Sequence, residues 1–146
     1  MMNLIIRKAE VDDFESIYAL IKEFSEFIKT PEKVSITTEQ MINEKDYFHC
    51  FVAEFENRIL GFATYFTAFY SWSGKAIYLD DLYVIPDYRD MGIGHKLFSE
   101  IVRTAKTLKC KKVKWQVSNW NAKAIEFYKQ LGAEIDTIEI NCDLKL

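Results

Sequence analysis

Residues 77–109 read IYLDDLYVIPDYRDMGIGHKLFSEIVRTAKTLK, and the order of character within them decides the fold. Aromatic and β-branched side chains dominate from 75 to 85, as they do in strands, and Pro86 ends that run. A loop carrying Gly92 and Gly94 follows. Leu97, Phe98, Ile101, Val102, Ala105 and Leu108 then recur at helical spacing, the inner stripe of a long helix starting near Gly92. Small residues at such a turn let a ligand approach the backbone. The free N–H groups of the helix's first turn, at the positive end of its dipole, favour an anion such as a pyrophosphate. The bare pattern suits a plain tight turn equally well. Two glycine motifs are excluded: there is no Gly-x-x-x-x-Gly-Lys-Ser/Thr run, and Leu97 stands where Gly-x-Gly-x-x-Gly needs its third glycine.

Upstream, residues 4–7 read as a first strand. Asp12 and Glu15 form a capping-box pattern before Phe14, Ile17, Ile21, Phe24 and Ile28, which share one helical face. Thr37 and Gln40 repeat the capping pattern before a shorter helix ending about Lys45. Residues 48–56, 59–70 and 75–85 read as strands joined by turns at Asn57 and at 71–74, an antiparallel meander. Downstream come a strand over 112–117, a helix over 121–131 capped by Gly132, and two short strands over 133–136 and 137–144. A meander followed by strand, helix, strand and helix implies a mixed sheet covered by helices.

The chain has 146 residues, 49% hydrophobic and 15% aromatic, enough for one domain spanning 1–146 with a core of its own. Seven Pro and Gly residues in total argue against disorder. No apolar run approaches the roughly 20 residues that cross a bilayer, and no signal-peptide pattern opens the chain, so no membrane association is expected. Cys50, Cys110 and Cys142 are three widely spaced residues, which suits reduced thiols in the cytoplasm and leaves them as packing residues. His49 and His95 lie at no metal-ligand spacing, so no metal is expected. The net charge of −3 argues against nucleic acid as partner. The charge is divided: residues up to Tyr88 carry a net −7, and those from Arg89 onward a net +4. The halves read either as sites for a cation and an anion or as ordinary solvated faces.

Arg89-x-x-Gly92-x-Gly94 after a strand ending Leu-Tyr-Val-Ile-Pro resembles the acetyl-CoA-binding motif of the GCN5-related N-acetyltransferase (GNAT) superfamily. Residues 117–133, VSNWNAKAIEFYKQLGA, are similar to that superfamily's second signature. More narrowly, residues 78–89, 20–23 and 47–54 resemble the diamine (spermidine/spermine) and thialysine acetyltransferase branch. The resemblance implies an α/β (α+β) fold, a mixed, mostly antiparallel twisted sheet of about seven strands flanked by about four helices. It implies acetyl-CoA as cofactor, coenzyme A as product, a small-molecule amine as substrate, and a homodimer.

Carried over residue by residue, the resemblance gives the main chain of Arg89, Asp90, Met91 and Gly92, continuing through Ile93, Gly94 and His95, to the pyrophosphate. It gives the backbone of Leu82, Tyr83 and Val84 to the pantetheine arm. The other side of the cofactor falls to Asn121, Ala122, Lys123 and Ala124. The catalytic tyrosine falls on Tyr128 and the substrate-side carboxylate on Asp80. Acceptor-pocket positions fall on Phe27, Ile28, Tyr70, Trp72 and Gln116, with Asp80.

The chemistry needs such groups. An amine attacks only as the neutral base, yet a lysine-like ammonium has a pKa near ~10.4, so a carboxylate must take its proton. Asp80 can do so directly or through one water; alone it reads equally as a carboxylate satisfied by nearby groups. Strand alternation turns Asp81 to the opposite face. A tyrosine hydroxyl, with pKa near ~10, can protonate the departing thiolate. By spacing alone Tyr128 is a core residue of the stripe Ala124, Tyr128, Leu131. Lys96, Arg103, Lys106 and the lysines of 109–114 flank the motif and read as 3′-phosphate contacts or as a solvated face. The chain departs from polyamine enzymes in carrying Phe27, Ile28 and Tyr70 where acids are expected, and Asp80 for glutamate, with Phe66 and Phe69 also close in sequence. That favours a smaller acceptor: a short diamine or a thialysine- or lysine-like amino acid. Two alternatives remain: an acetyltransferase of protein or peptide amines, and a non-catalytic acyl-CoA sensor.

Overall fold

The computed structural model describes residues 3–146. They form two compact units, the first running to Trp115 and the second from Gln116 to Leu146.

The first unit is built on one five-stranded sheet. Its strands are β1 (Ile5–Lys8), β2 (His49–Phe55), β3 (Arg58–Tyr70), β4 (Gly74–Val84) and β5 (Val113–Lys114). They lie in sequence order, antiparallel from β1 to β4, with β5 parallel to β4. Helices α1 (Phe14–Phe27) and α2 (Thr38–Asn43) precede the meander, and α3 (Ile93–Thr107) follows it and packs along β2, β3 and β4. Ile17 of α1, Leu60 and Phe62 of β3, Ile77 of β4, and Leu97 and Ile101 of α3 are fully buried. The expected α3 stripe holds except at Leu108, which is exposed beyond the helix end.

The cap of α1 differs from expectation. A short 3-10 turn, Val11–Asp13, precedes the helix, and the reciprocal cap is made by Glu10 and Asp13, not Asp12 and Glu15. The cause is Arg7 of β1. Its guanidinium donates to Asp13 at 2.7 and 2.9 Å and also reaches Glu54 of β2, drawing Asp13 inward. That bond holds the Asp13 carboxyl below its usual pKa. The α2 cap is as read: Thr37 Oγ1 accepts the Gln40 N–H at 3.1 Å.

The second unit contains α4 (Ala122–Gln130) and an extended tail. Gly132, at φ +89°, closes α4 in a Schellman turn: Ala133 N–H donates to Tyr128 C=O and Gly132 N–H to Lys129 C=O. The two strands expected over 133–136 and 137–144 are absent, which is why the sheet has five strands and not about seven. Residues 137–144 alternate as a strand would, but alternation without a ladder partner makes no strand. Their Ile138, Ile140 and Leu144 are exposed. The strand expected over 112–117 shrinks to two residues for a related reason: β5 meets β4 only at Ile77 and Tyr78.

Candidate functional site

The centre of β4 carries an extra residue. Thr64 of β3 faces Asp81, while the next residue, Tyr65, faces Leu79, so Asp80 is a bulge without a partner. This overturns the expectation that Asp81 points away from Asp80. Tyr78 stacks on Phe66 and Tyr83 packs against Phe62, so both tyrosines share one face of the sheet although they are five positions apart. Counting by twos forward from Tyr78 puts Asp80 on that face; counting back from Tyr83 puts Asp81 there too. The amide of Asp81 donates to Thr64 Oγ1 at 3.0 Å.

Asp80 is open to solvent on one side, yet enough protein surrounds it for desolvation to raise its pKa. Asp81 is more enclosed. Burial, and then the neighbouring charge of Asp80, push its pKa up to about 7. Among the described residues neither carboxylate has an ion-pair partner. A cation arriving here would meet acceptors that no arginine or lysine has already claimed.

Beyond Tyr78, no strand among the described residues pairs with the outer side of β4. The Ile85 N–H donates inward to Leu60 C=O at 2.9 Å, so the Val84 C=O of the same peptide points outward. Alternation then turns the amide groups of Leu82 and Val84 to the open edge and commits those of Tyr83 to β3. An extended ligand arm could therefore pair with Leu82 and with the Val84 N–H, the Val84 C=O being taken by Arg89 Nε, whereas Tyr83 contributes only its side chain.

From β4 the chain passes through Pro86–Tyr88 into the glycine turn. Gly92, at φ +81°, is the N-cap of α3, a conformation in which a β-carbon would be strained. No side chain caps this end. The Lys96 N–H is the first to find a helical acceptor, Gly92 C=O at 3.0 Å. The amides of Ile93, Gly94 and His95 stay open at the positive end of a 15-residue helix. These are the groups a pyrophosphate needs.

Arg89 ties the turn to the strand edge. Its Nε donates to Val84 C=O at 2.8 Å, and its guanidinium lies 4.6 Å from the Phe27 ring centre and 5.3 Å from that of Tyr83. The Tyr83 ring is stacked on Phe24 at 5.0 Å, and its hydroxyl donates to Glu23 Oε2. The end of α1, with Phe27 and then Ile28, thus stands against the outer edge of β4.

Other expected residues are placed elsewhere. Tyr70 and Trp72 sit at the tip of the β3–β4 hairpin, Trp72 fully exposed. Tyr70 is five residues past Tyr65, about 17 Å along the strand from the bulge at ~3.3 Å per residue. Lys112 and Lys114 hold their ammonium groups over its ring at 4.7 and 5.1 Å, and Arg103 pairs with Glu100. Those cations already have protein partners. Cys50 is buried with its thiol pKa raised by burial, but Cys142 is exposed, so it does not pack as expected.

In the second unit Asn121 is the N-cap of α4, its Oδ1 accepting the Ala124 N–H at 3.2 Å, and Ala122 N–H goes to Trp120 C=O. Two of the amides expected to face the cofactor are therefore already engaged. Tyr128 rests against Phe127, ring centres 5.5 Å apart, and Gln116 donates to Asn141. The sequence reading missed Asp81, Glu23 and the Tyr83 side chain. A pair of adjacent aspartates inside an apolar strand was the one available signal for a bulge; nothing in the sequence pairs Glu23 with Tyr83.

Comparison with known proteins gives the family of the chain. The Acetyltransferase (GNAT) family profile matches residues 14–133. A thialysine N-epsilon-acetyltransferase of Sus scrofa is 34% identical over 145 residues, covering 91% of this chain and 85% of that protein. A spermidine/spermine N(1)-acetyltransferase-like protein of Homo sapiens is 30% identical over 139 residues, covering 88% of this chain but 20% of that longer protein. An aminoglycoside N-acetyltransferase solved with CoA superposes with a TM-score of 0.79 at 19% identity, covering 98% of this chain and 95% of that one.

Proposed function

The chain belongs to the GNAT acetyltransferase family, and on that premise we propose that it moves an acetyl group from acetyl-CoA to a primary amine of a small molecule. The observation that carries the reading is the main-chain cradle: three open amides on α3 joined through Arg89 to the open edge of β4. An anionic group with an extended amide-bearing arm fits both halves. The family match crosses both compact units, which supports treating 1–146 as one domain.

Acetyl-CoA, when bound, supplies an acetyl group activated as a thioester. Ile93, Gly94 and His95 amides hold the pyrophosphate, and Leu82 and Val84 hold the arm along β4. Asp80, with Asp81 beside it, attracts the ammonium of the acceptor, and a carboxylate oxygen of Asp80 takes the proton that must leave before nitrogen can attack. The Tyr128 hydroxyl gives a proton to the departing sulfur. The acceptor attacks directly, so no cysteine becomes acylated. Phe27 and Ile28 at the end of α1 make the acceptor side apolar, which favours a thialysine- or lysine-like amino acid or a short diamine over a long polycation such as a polyamine. The same reading makes this a cytoplasmic homodimer.

The test is thiol release from acetyl-CoA across a panel of thialysine, lysine, ornithine, short diamines, spermidine and an amine-bearing peptide. Release with small amines is expected. Release with the peptide alone moves the acceptor to proteins, and tight coenzyme binding with no release on any amine makes the protein a sensor.

A further inference from the structure

Tyr83 lies between the two β4 residues whose amides face outward, yet its own amide is committed to β3 and its side chain goes to the α1 side of the sheet. There it is held three ways. Its ring is stacked on Phe24, tilted against Phe27 and Phe62, and covered by Arg89 at 5.3 Å. Its hydroxyl donates to Glu23, one turn before the end of α1. Burial, reinforced by the Glu23 carboxylate and opposed by Arg89, pushes the phenol pKa up to about 12, so the hydroxyl stays a donor at any working pH.

The edge that Tyr83 anchors has a ladder partner on one side only, and a strand edge that flexes must be ordered when a ligand pairs with it, at a cost to affinity. Arg89 rests on the same ring while bonding Val84 C=O, so the ring's position also sets where the glycine turn begins. We propose that Tyr83 and Glu23 are positioning residues: their hydrogen bond fixes the outer edge of β4 and Arg89 against α1, and thereby sets the affinity for the coenzyme. The proposal rests on the acetyl-CoA reading above. Neither side chain touches the reacting atoms.

Calorimetric titration with coenzyme A, paired with steady-state kinetics, tests it. Tyr83→Phe keeps every ring contact and removes only the hydroxyl, a loss that weakens coenzyme binding about three- to tenfold. The KM for acetyl-CoA rises with it, the amine KM stays, and kcat at saturation moves less than KM. Glu23→Ala behaves like Tyr83→Phe, whereas Glu23→Gln, which still offers the phenol an acceptor, stays near the parent protein. The Glu23 pair carries the same comparison if Tyr83→Phe fails to fold. A folded Tyr83→Phe that binds coenzyme A as tightly as the parent, whatever its melting temperature, overturns the inference alone. A parent protein that takes up no coenzyme overturns the acetyltransferase reading as well.

Discussion

Replacing Asp81 by asparagine should make the protein more stable, and increasingly so as pH rises. The Asp81 pKa stands at about 7 against 3.8 for a free side chain. Between those values the unfolded chain has released a proton that the folded protein keeps, so each pH unit costs the fold about 1.4 kcal/mol. The whole interval of about three units amounts to at most about 4 kcal/mol, fully present above pH 7 and gone below pH 4. Asparagine keeps the shape and never ionises. Urea unfolding of parent and Asp81→Asn at pH 5 and pH 8 reads the effect, because the difference between the two pH values cancels any constant cost of the amide. The advantage of the variant should grow by about 3 kcal/mol across that range. Parallel stability curves would refute the burial and charge coupling assigned to Asp81. A carboxylate kept at such a cost, with no ion-pair partner among the described residues, is a candidate site residue.

Two further outcomes concern the chemistry. Tyr128→Phe should lower turnover by about 10²-fold, the size of a lost proton donor, while coenzyme affinity measured by calorimetry stays within about twofold; an unchanged rate in a chemistry-limited assay removes Tyr128 as the acid. Asp80→Asn should raise the amine KM about tenfold and move the rate profile to higher pH, since the free amine must then come from solution; if neither parameter moves, the substrate carboxylate lies elsewhere.

Most of the fold was legible because it is local. The α3 stripe, the Thr37 cap and the Gly132 stop each depend on residues within one element, and the meander on strands and turns that are neighbours in sequence, so period, turn and capping chemistry report them directly. What failed was set by distant partners. Arg7 shifted the α1 cap by recruiting Asp13, a choice that involves three elements. Residues 137–144 had a strand's alternation and no ladder to join. The bulge at Asp80 was the costliest omission, since strict alternation was the argument for discarding Asp81. For the site, the glycine turn was visible as a pattern, and the structure supplied what the pattern lacked: which amides are open and which, as at Tyr83 and Ala124, are engaged. Tyr70 and Trp72 were grouped with Asp80 by the resemblance and by closeness in sequence, but a long hairpin carries them away from it.

A strand with one supernumerary residue has a reading frame. Losing a single position among residues 79–82 would restore an unbroken ladder with Thr64 and Tyr65, and the sheet would survive the change. Tyr78 and Tyr83, then four positions apart, would keep their common face, but only one aspartate would remain on it between them. A deletion at this point would therefore leave a folded protein with half of its acidic pair, whereas the hairpin tip at 71–73 lies outside the ladder and tolerates changes of length better.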